Sequence, residues 1–213
     1  MSGTLRSSLA EFMGTFGVVW LSASAAVAGP VMAALAYGLA MGMVVFAFGS
    51  ADAHFNPALT AALVATKRLD GGRGVLLIFA QLLGSGLAGL FLVKSFHAQA
   101  SAGACVLTNV GFRMGTLVEA MAAFWVTLVY CKARLEGAGA SGAAALGAAT
   151  TAVALATAPL TGGAFNPARA FGPAVALGQW PHWYVYWAGP LVGAAAAAVL
   201  YEHLFAEAPK EAA

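Results

Sequence analysis

Charge is what this chain has least of. Charged residues are 8% of its 213 positions, against 61% hydrophobic, where a water-soluble domain carries about one-quarter charged. One small core cannot bury that much apolar surface, so the expected solvent is a lipid bilayer. Basic clusters and aromatic–basic interleaving are missing too, which excludes nucleic acid as a partner. Only two cysteines occur, Cys105 and Cys131. They have no metal or redox spacing and read as incidental apolar residues. No nucleophile, base or metal-ligand cluster recurs at usable spacing, so neither an enzyme nor a cofactor is expected. The short Met1–Arg6 segment runs at once into a long apolar stretch, so a retained first helix is expected rather than a cleaved signal.

What the sequence does have is apolar length. About 20 residues span a bilayer core, and six stretches qualify: Leu5–Ala28, Pro30–Ser50, Arg73–Phe96, Gly115–Lys132, Ser141–Pro159 and His182–Leu204. Two more, from Asn56 to about Ala65 and from Asn166 to about Leu177, are too short. The order is long, long, short, long, and then the same again.

The short stretches open on matched boxes, Phe55-Asn56-Pro57-Ala58 and Phe165-Asn166-Pro167-Ala168, followed in the second by Arg169. Asn caps a helix and Pro suits its first turn, so each box predicts a half-helix starting inside the membrane. Irregular backbone at that depth must be buried in protein or line a water-filled path. Three spanning helices per half invert the second half relative to the first, a recurring channel and transporter plan. The inverted repeats are expected at about 1–97 and 111–208, within one domain over 1–213. Two half-helix N-termini would then meet near the midplane, each with roughly half a positive elementary charge. Cations and protons are repelled there, while the Asn amides offer donors to a neutral solute.

Arg6, Lys67, Arg68, Arg73, Lys132, Arg134 and Lys210 fall in one set of loops, and only Lys94 and Arg113 in the other. The positive-inside rule places both termini in the cytoplasm. Glu11 and Glu119 begin matching helices. Each is either a proton or cation site or a buried acceptor for backbone N–H groups of the adjacent box, and the second is expected. His54 is expected to support its loop, with pH-sensing as the other reading. Asp52 is expected at a turn by the cytoplasmic mouth. Gly38, Gly42, Gly84, Gly89, Gly189 and Gly193 are placed to let helices approach closely.

The two boxes, the Glu11 and Glu119 helix starts, Gly38-Leu-Ala40 and Asn166-Pro-Ala-Arg-Ala-Phe-Gly-Pro173 together resemble the aquaporin, or major intrinsic protein, family over nearly the whole chain. The resemblance is to its bacterial-type members. It implies an all-α fold of six tilted helices and two re-entrant half-helices in a right-handed bundle. It also implies a homotetramer in the cell membrane with one pore per subunit, passing water and small neutral solutes. By family spacing, the selectivity filter would comprise Tyr37, Ala154, Gly163 and Arg169. Water channels of the family place a histidine where Ala154 stands, and often Thr or Cys at Gly163. Glycerol channels put a second aromatic at the loop position and usually an Asp after the arginine, where this chain has Ala170. The framework is therefore similar to water channels, and the filter to neither branch. The expectation is a wide filter passing water with urea, glycerol or undissociated metalloid acids. The alternatives are a neutral-solute facilitator with little water role, or an ion-coupled inverted-repeat transporter using Glu11 or Glu119.

Overall fold

The computed structural model describes residues 3–49, 53–97, 101, 103–135 and 137–206. Asp52 and Lys210 lie outside the described residues. Among the described residues, eight α-helices run in the expected order: α1 Gly3–Ala25, α2 Pro30–Phe48, α3 Pro57–Ala65, α4 Gly71–Phe96, α5 Phe112–Leu135, α6 Gly139–Thr161, α7 Pro167–Leu177 and α8 Val185–Leu204. Six are long and apolar enough to cross a membrane. α3 and α7, of 9 and 11 residues, are not.

Several ends differ from the sequence expectation. α1 stops at Ala25 and tightens into a 3-10 turn over Ala26–Ala28 before Gly29, at φ 111°, redirects the chain. α5 extends beyond its apolar stretch at both ends, because Arg113 and Arg134 continue the helix into the polar interface. α8 begins at Val185 rather than His182, where the left-handed backbone (φ 50°) interrupts any helix.

The packing partners recur between the two halves of the chain. α1 lies on α4 as α5 lies on α8, and α1 on α2 as α5 on α6. The half-helices cross over, α3 onto α8 and α7 onto α4, while α2 and α6 pack on each other. Apolar side chains face outward, with Leu39 and Phe46 each 72% exposed. Ser22, Thr60, Gln81, Ser85, Glu119 and Asn166 are buried. This inside-out distribution is what a protein solvated by lipid requires.

Lipid supplies no hydrophobic force between helices, so close backbone contact has to hold them. A Cβ added at Gly193 would run into the Ala120 carbonyl of α5, and one at Gly84 into the Phe12 carbonyl of α1. The obstacle is backbone and cannot yield. Gly193→Val should therefore cut the yield of monodisperse protein in detergent about tenfold, in line with a steric clash of several kcal/mol. Gly111→Ala, where nothing lies within 4 Å, should change nothing. Size-exclusion chromatography after matched expression reads both, and a normal Gly193→Val profile would count against backbone contact as the source of helix packing.

At one end of the bundle, basic side chains tie elements together. Arg68 Nε and Nη2 donate to Glu202 Oε1 and Oε2, both at 2.7 Å. Arg134 Nη2 donates to Gly49 O at 2.5 Å, and Arg73 Nη2 to Ser7 Oγ at 2.9 Å. The exposed Arg68–Glu202 pair contributes little by itself, but together these contacts tie the α3–α4 loop to α8, α4 to α1, and the end of α2 to α5.

Candidate pore site

Each half-helix starts as its sequence dictates. Asn56 (φ −155°) and Asn166 (φ −150°) are extended N-cap residues. Their Oδ1 atoms accept from Ala58 N and Ala168 N, both at 2.9 Å, which satisfies one orphan donor of each first turn. Pro57 and Pro167 follow at N1, where no N–H is needed.

The side-chain amides then cross between boxes. Asn56 Nδ2 donates to Phe165 O at 3.2 Å, and Asn166 Nδ2 to Phe55 O at 2.9 Å. This exchange is what a two-fold axis between the boxes produces. It limits the amide donors: one hydrogen of each –NH₂ is committed to the opposite box, and the Asn166 side chain also hydrogen-bonds the Tyr37 oxygen, so the second hydrogen of Asn56 is the one left over. Phe55 (φ 58°) and Phe165 (φ 33°) adopt left-handed backbone, a conformation costing about 1–2 kcal/mol in a non-glycine residue. Their N–H and C=O groups are held on both sides.

The N–H side is held by the two glutamates. Glu11 Oε1 accepts from His54 N at 2.7 Å, and Oε2 from Phe55 N at 2.6 Å. Glu119 Oε1 accepts from Ala164 N at 3.2 Å and Thr161 Oγ1 at 2.6 Å, and its Oε2 from Phe165 N at 2.5 Å. Both carboxylates thus act as acceptors for the box loops.

His54 is buried with its loop. Its Nδ1 lies 3.0 Å from Thr60 Oγ1 and 3.4 Å from Glu11 Oε1, and its ring meets Tyr130 edge-on. Thr60 gives its one proton to Asn56 O at 3.2 Å and accepts from Gln81 Nε2 at 2.8 Å. With that proton spent, Nδ1 of His54 has to be the donor. Gln81 and Ser85, which donates to Ala168 O, were not singled out from sequence. The available signal was a lone amide and hydroxyl within an apolar run.

The expected filter residues fall around the second box. Tyr37 is buried on α2; its hydroxyl donates to Ala164 O at 3.1 Å and its ring stacks on Phe165 at 5.0 Å. It also interacts electrostatically with Arg169 and with the Asn166 side chain. Arg169 is only 4% exposed. Its Nη1 donates to Gly103 O at 2.8 Å and contacts Cys105 Sγ at 3.3 Å, while Nε has no hydrogen-bond partner. Cys105 is thus no incidental residue. Nothing in its sequence spacing reveals this, because the contact depends on how the 103–108 loop folds over α7.

Gly163 departs from expectation in a useful way. It sits at φ 61°, and a Cβ there would lie 3.2 Å from Ala158 N and Thr157 Oγ1 and 3.3 Å from Ala154 O. A side chain at Gly163 would press on α6 rather than enter open space, so its smallness is required by packing.

Two capped half-helix starts facing each other, with a buried arginine beside one of them, define a membrane channel of the opposed half-helix type. The comparisons place it further. The chain matches the major intrinsic protein family over residues 1–201, and it belongs to that family. It is 36% identical to aquaporin TIP4-4 of Zea mays, across 96% of this chain and 88% of that one. It is 35% identical to aquaporin-4 of Bos taurus, across 82% of this chain and 56% of that one. Its fold superposes on the X-ray structure of the aquaglyceroporin from Plasmodium falciparum with a TM-score of 0.84 at 19% identity, covering 94% and 96% of the two chains.

Proposed function

We propose that this multi-pass membrane protein is a passive water channel whose filter also admits small neutral solutes: urea, glycerol or undissociated metalloid acids. The observation that carries the channel reading is the reciprocal Asn56–Phe165 and Asn166–Phe55 pair of hydrogen bonds. It brings two positive helix ends and the remaining Asn56 amide donor to one point, which suits a neutral, hydrogen-bonding permeant and opposes cations. Arg169, held by Gly103 and Cys105, adds a permanent charge and further donors. In this reading Tyr37, Ala154, Gly163 and Arg169 form the filter, and Asn56, Pro57, Ala58, Asn166, Pro167 and Ala168 form the midpoint. Glu11, Glu119 and His54 support the loops. The ion-coupled alternative needs a titratable group with a free face, whereas both glutamates are engaged by backbone N–H groups.

The wider assignment has four parts: one channel domain of two inverted repeats, a homotetramer, residence in the cell membrane, and cytoplasmic termini. The tetramer is supported by an apolar groove of about 330 Å³ between α5 and α6, lined by Leu117, Met121, Trp125, Val153 and Leu160, which suits a second copy. The orientation is supported by Arg68, Arg73 and Arg134 gathering at one end.

Stopped-flow light scattering on proteoliposomes tests the permeation reading. Water and glycerol or urea should both cross faster than in protein-free vesicles. Water flux with no measurable solute flux would overturn the wide filter, and no water flux would overturn the channel. Ala154→His, with Gly163 left intact because of its backbone, should lower solute flux about tenfold and water flux only a few-fold, since bulk at a constriction discriminates by size. Equal losses of both would remove Ala154 from the filter.

A further inference from the structure

A cleft separate from the box axis opens beside α7 and the start of α8. Its mouth, about 430 Å³, is lined by Phe171, Trp180, Trp183 and Trp187 alone. Inward it narrows to about 30 Å³, between Ala170 and Ala174 of α7, Tyr186 of α8, and Cys105. Among the described residues, no charged side chain lines either part. The Tyr186 hydroxyl is already committed to Thr161 O at 3.0 Å. Besides Tyr186, the polar side chains along the inner part are Gln179 and Cys105, and the Cys105 sulfur is the one that contacts Nη1 of the buried Arg169. That arginine has an unpartnered Nε, so its guanidinium is incompletely held, and Cys105 is one of its two contacts.

The dimensions select a kind of occupant. The mouth is a shallow, open surface of aromatic faces, and the enclosure comes from the narrower inner part. The inner end has room for about one water-sized group. A flat lipid-facing surface would have neither the taper nor a polar end. Indole rings are characteristic of the membrane–water interface, so the mouth faces the bilayer rather than the aqueous path.

We propose that this cleft binds an uncharged, lipid-soluble small molecule with a hydrocarbon or aromatic body and one small polar head, of the alcohol or phenol class, entering from the bilayer. The body lies among the indoles, the head reaches Cys105, and occupancy is transmitted to the pore through the Cys105–Arg169 contact. The last clause rests on the channel reading above; the binding clause does not.

The test uses Cys105 as a tether in the full-length Cys131→Ser protein, reconstituted in liposomes. Benzyl methanethiosulfonate and its trimethylammonioethyl counterpart carry the same reactive head on an apolar or a charged body. Each forms a protein–S–S–R bond and releases methanesulfinic acid, which takes up the thiol proton. Each rate is normalised to free cysteine at the same pH, which cancels the intrinsic reactivity of the reagent, and the ratio of the two reagents at the one thiol cancels the reactivity of Cys105. The benzyl reagent should label Cys105 at least about tenfold faster, followed by intact-protein mass spectrometry, as expected for a site walled by aromatic and apolar groups. Ala174→Trp, which fills the cleft, should remove that preference, and Trp183→Ala, which opens it, should keep it. Benzyl-labelled protein should conduct water at half the unlabelled rate or less, and dithiothreitol should restore the flux. Equal rates for the two reagents, no labelling by either, or no effect of Ala174→Trp would overturn the site. Labelling without a change in water flux would overturn its coupling to Arg169. An unlabelled protein that conducts no water would instead be a failure of the channel reading, with the labelling result still standing.

Discussion

Glu119→Ala should abolish water permeability above the protein-free background. It should also lower the temperature at which the protein loses its monodisperse peak by many degrees. The carboxylate accepts from Phe165 N, Ala164 N and Thr161 Oγ1 in a fully buried site. Alanine leaves the Phe165 and Ala164 N–H groups without their acceptor, while the Thr161 hydroxyl keeps Thr157 O at 3.3 Å. Each orphaned donor costs about 1–3 kcal/mol, so the sum is a large fraction of the roughly 5–15 kcal/mol that holds a typical domain together. Glu119→Gln should fall between the two, because its carbonyl oxygen can accept while its –NH₂ opposes the remaining N–H groups. Fluorescence-detected size-exclusion after heating, with stopped-flow on the same preparations, reads both quantities. Wild-type stability and flux in Glu119→Ala would sink the idea that this carboxylate holds the second box. A stable variant that loses only pH-driven flux would favour the coupled-transporter reading.

The second large effect concerns ions. Asn166→Asp keeps the shape of the cap but replaces the donor facing Phe55 O with an oxygen. It also sets a negative charge on a helix N-terminus that carries about half a positive one. Combined with Arg169→Val, which removes the adjacent guanidinium, it should convert an ion-tight path into one that passes monovalent cations. Cation current in planar bilayers should rise about tenfold or more over either single variant, because each single change leaves one of the two positive barriers in place. The double variant should also conduct less water, since the Asn166–Phe55 bond is gone. A double variant that still conducts water and remains as ion-tight as the native protein would show that helix termini and Arg169 do not set the barrier.

The fold was legible because two signals agreed. Hydropathy counted six spans, and the repeated Asn-Pro-Ala boxes explained the two segments too short to be spans. Helix ends were less legible: α5 runs past Arg113 and Arg134 because a helix can outlast its apolar stretch, and α8 starts late because of the backbone at His182. In the site, the caps and the glutamate acceptors follow from residue type and burial alone. The amide exchange between boxes does not, because it requires knowing that two loops 110 positions apart face each other. The Cys105–Arg169 contact was hidden for the same reason. At Gly163, residue size alone suggested open space, and only the direction of the missing Cβ revealed a packed neighbour.

The reciprocal Asn–Phe bonds also bear on how the chain is assembled. Neither half can complete its own box, since the acceptor for each amide belongs to the other. During synthesis α3 is too short to cross the bilayer; α1 and α4 hold it early through Glu11 and Gln81, but its main packing partner α8 and the opposite box come more than a hundred residues later. A half inserted in the wrong sense would strand both amides and both Phe carbonyls away from water. Each box is therefore complete only when both halves of the chain are in place.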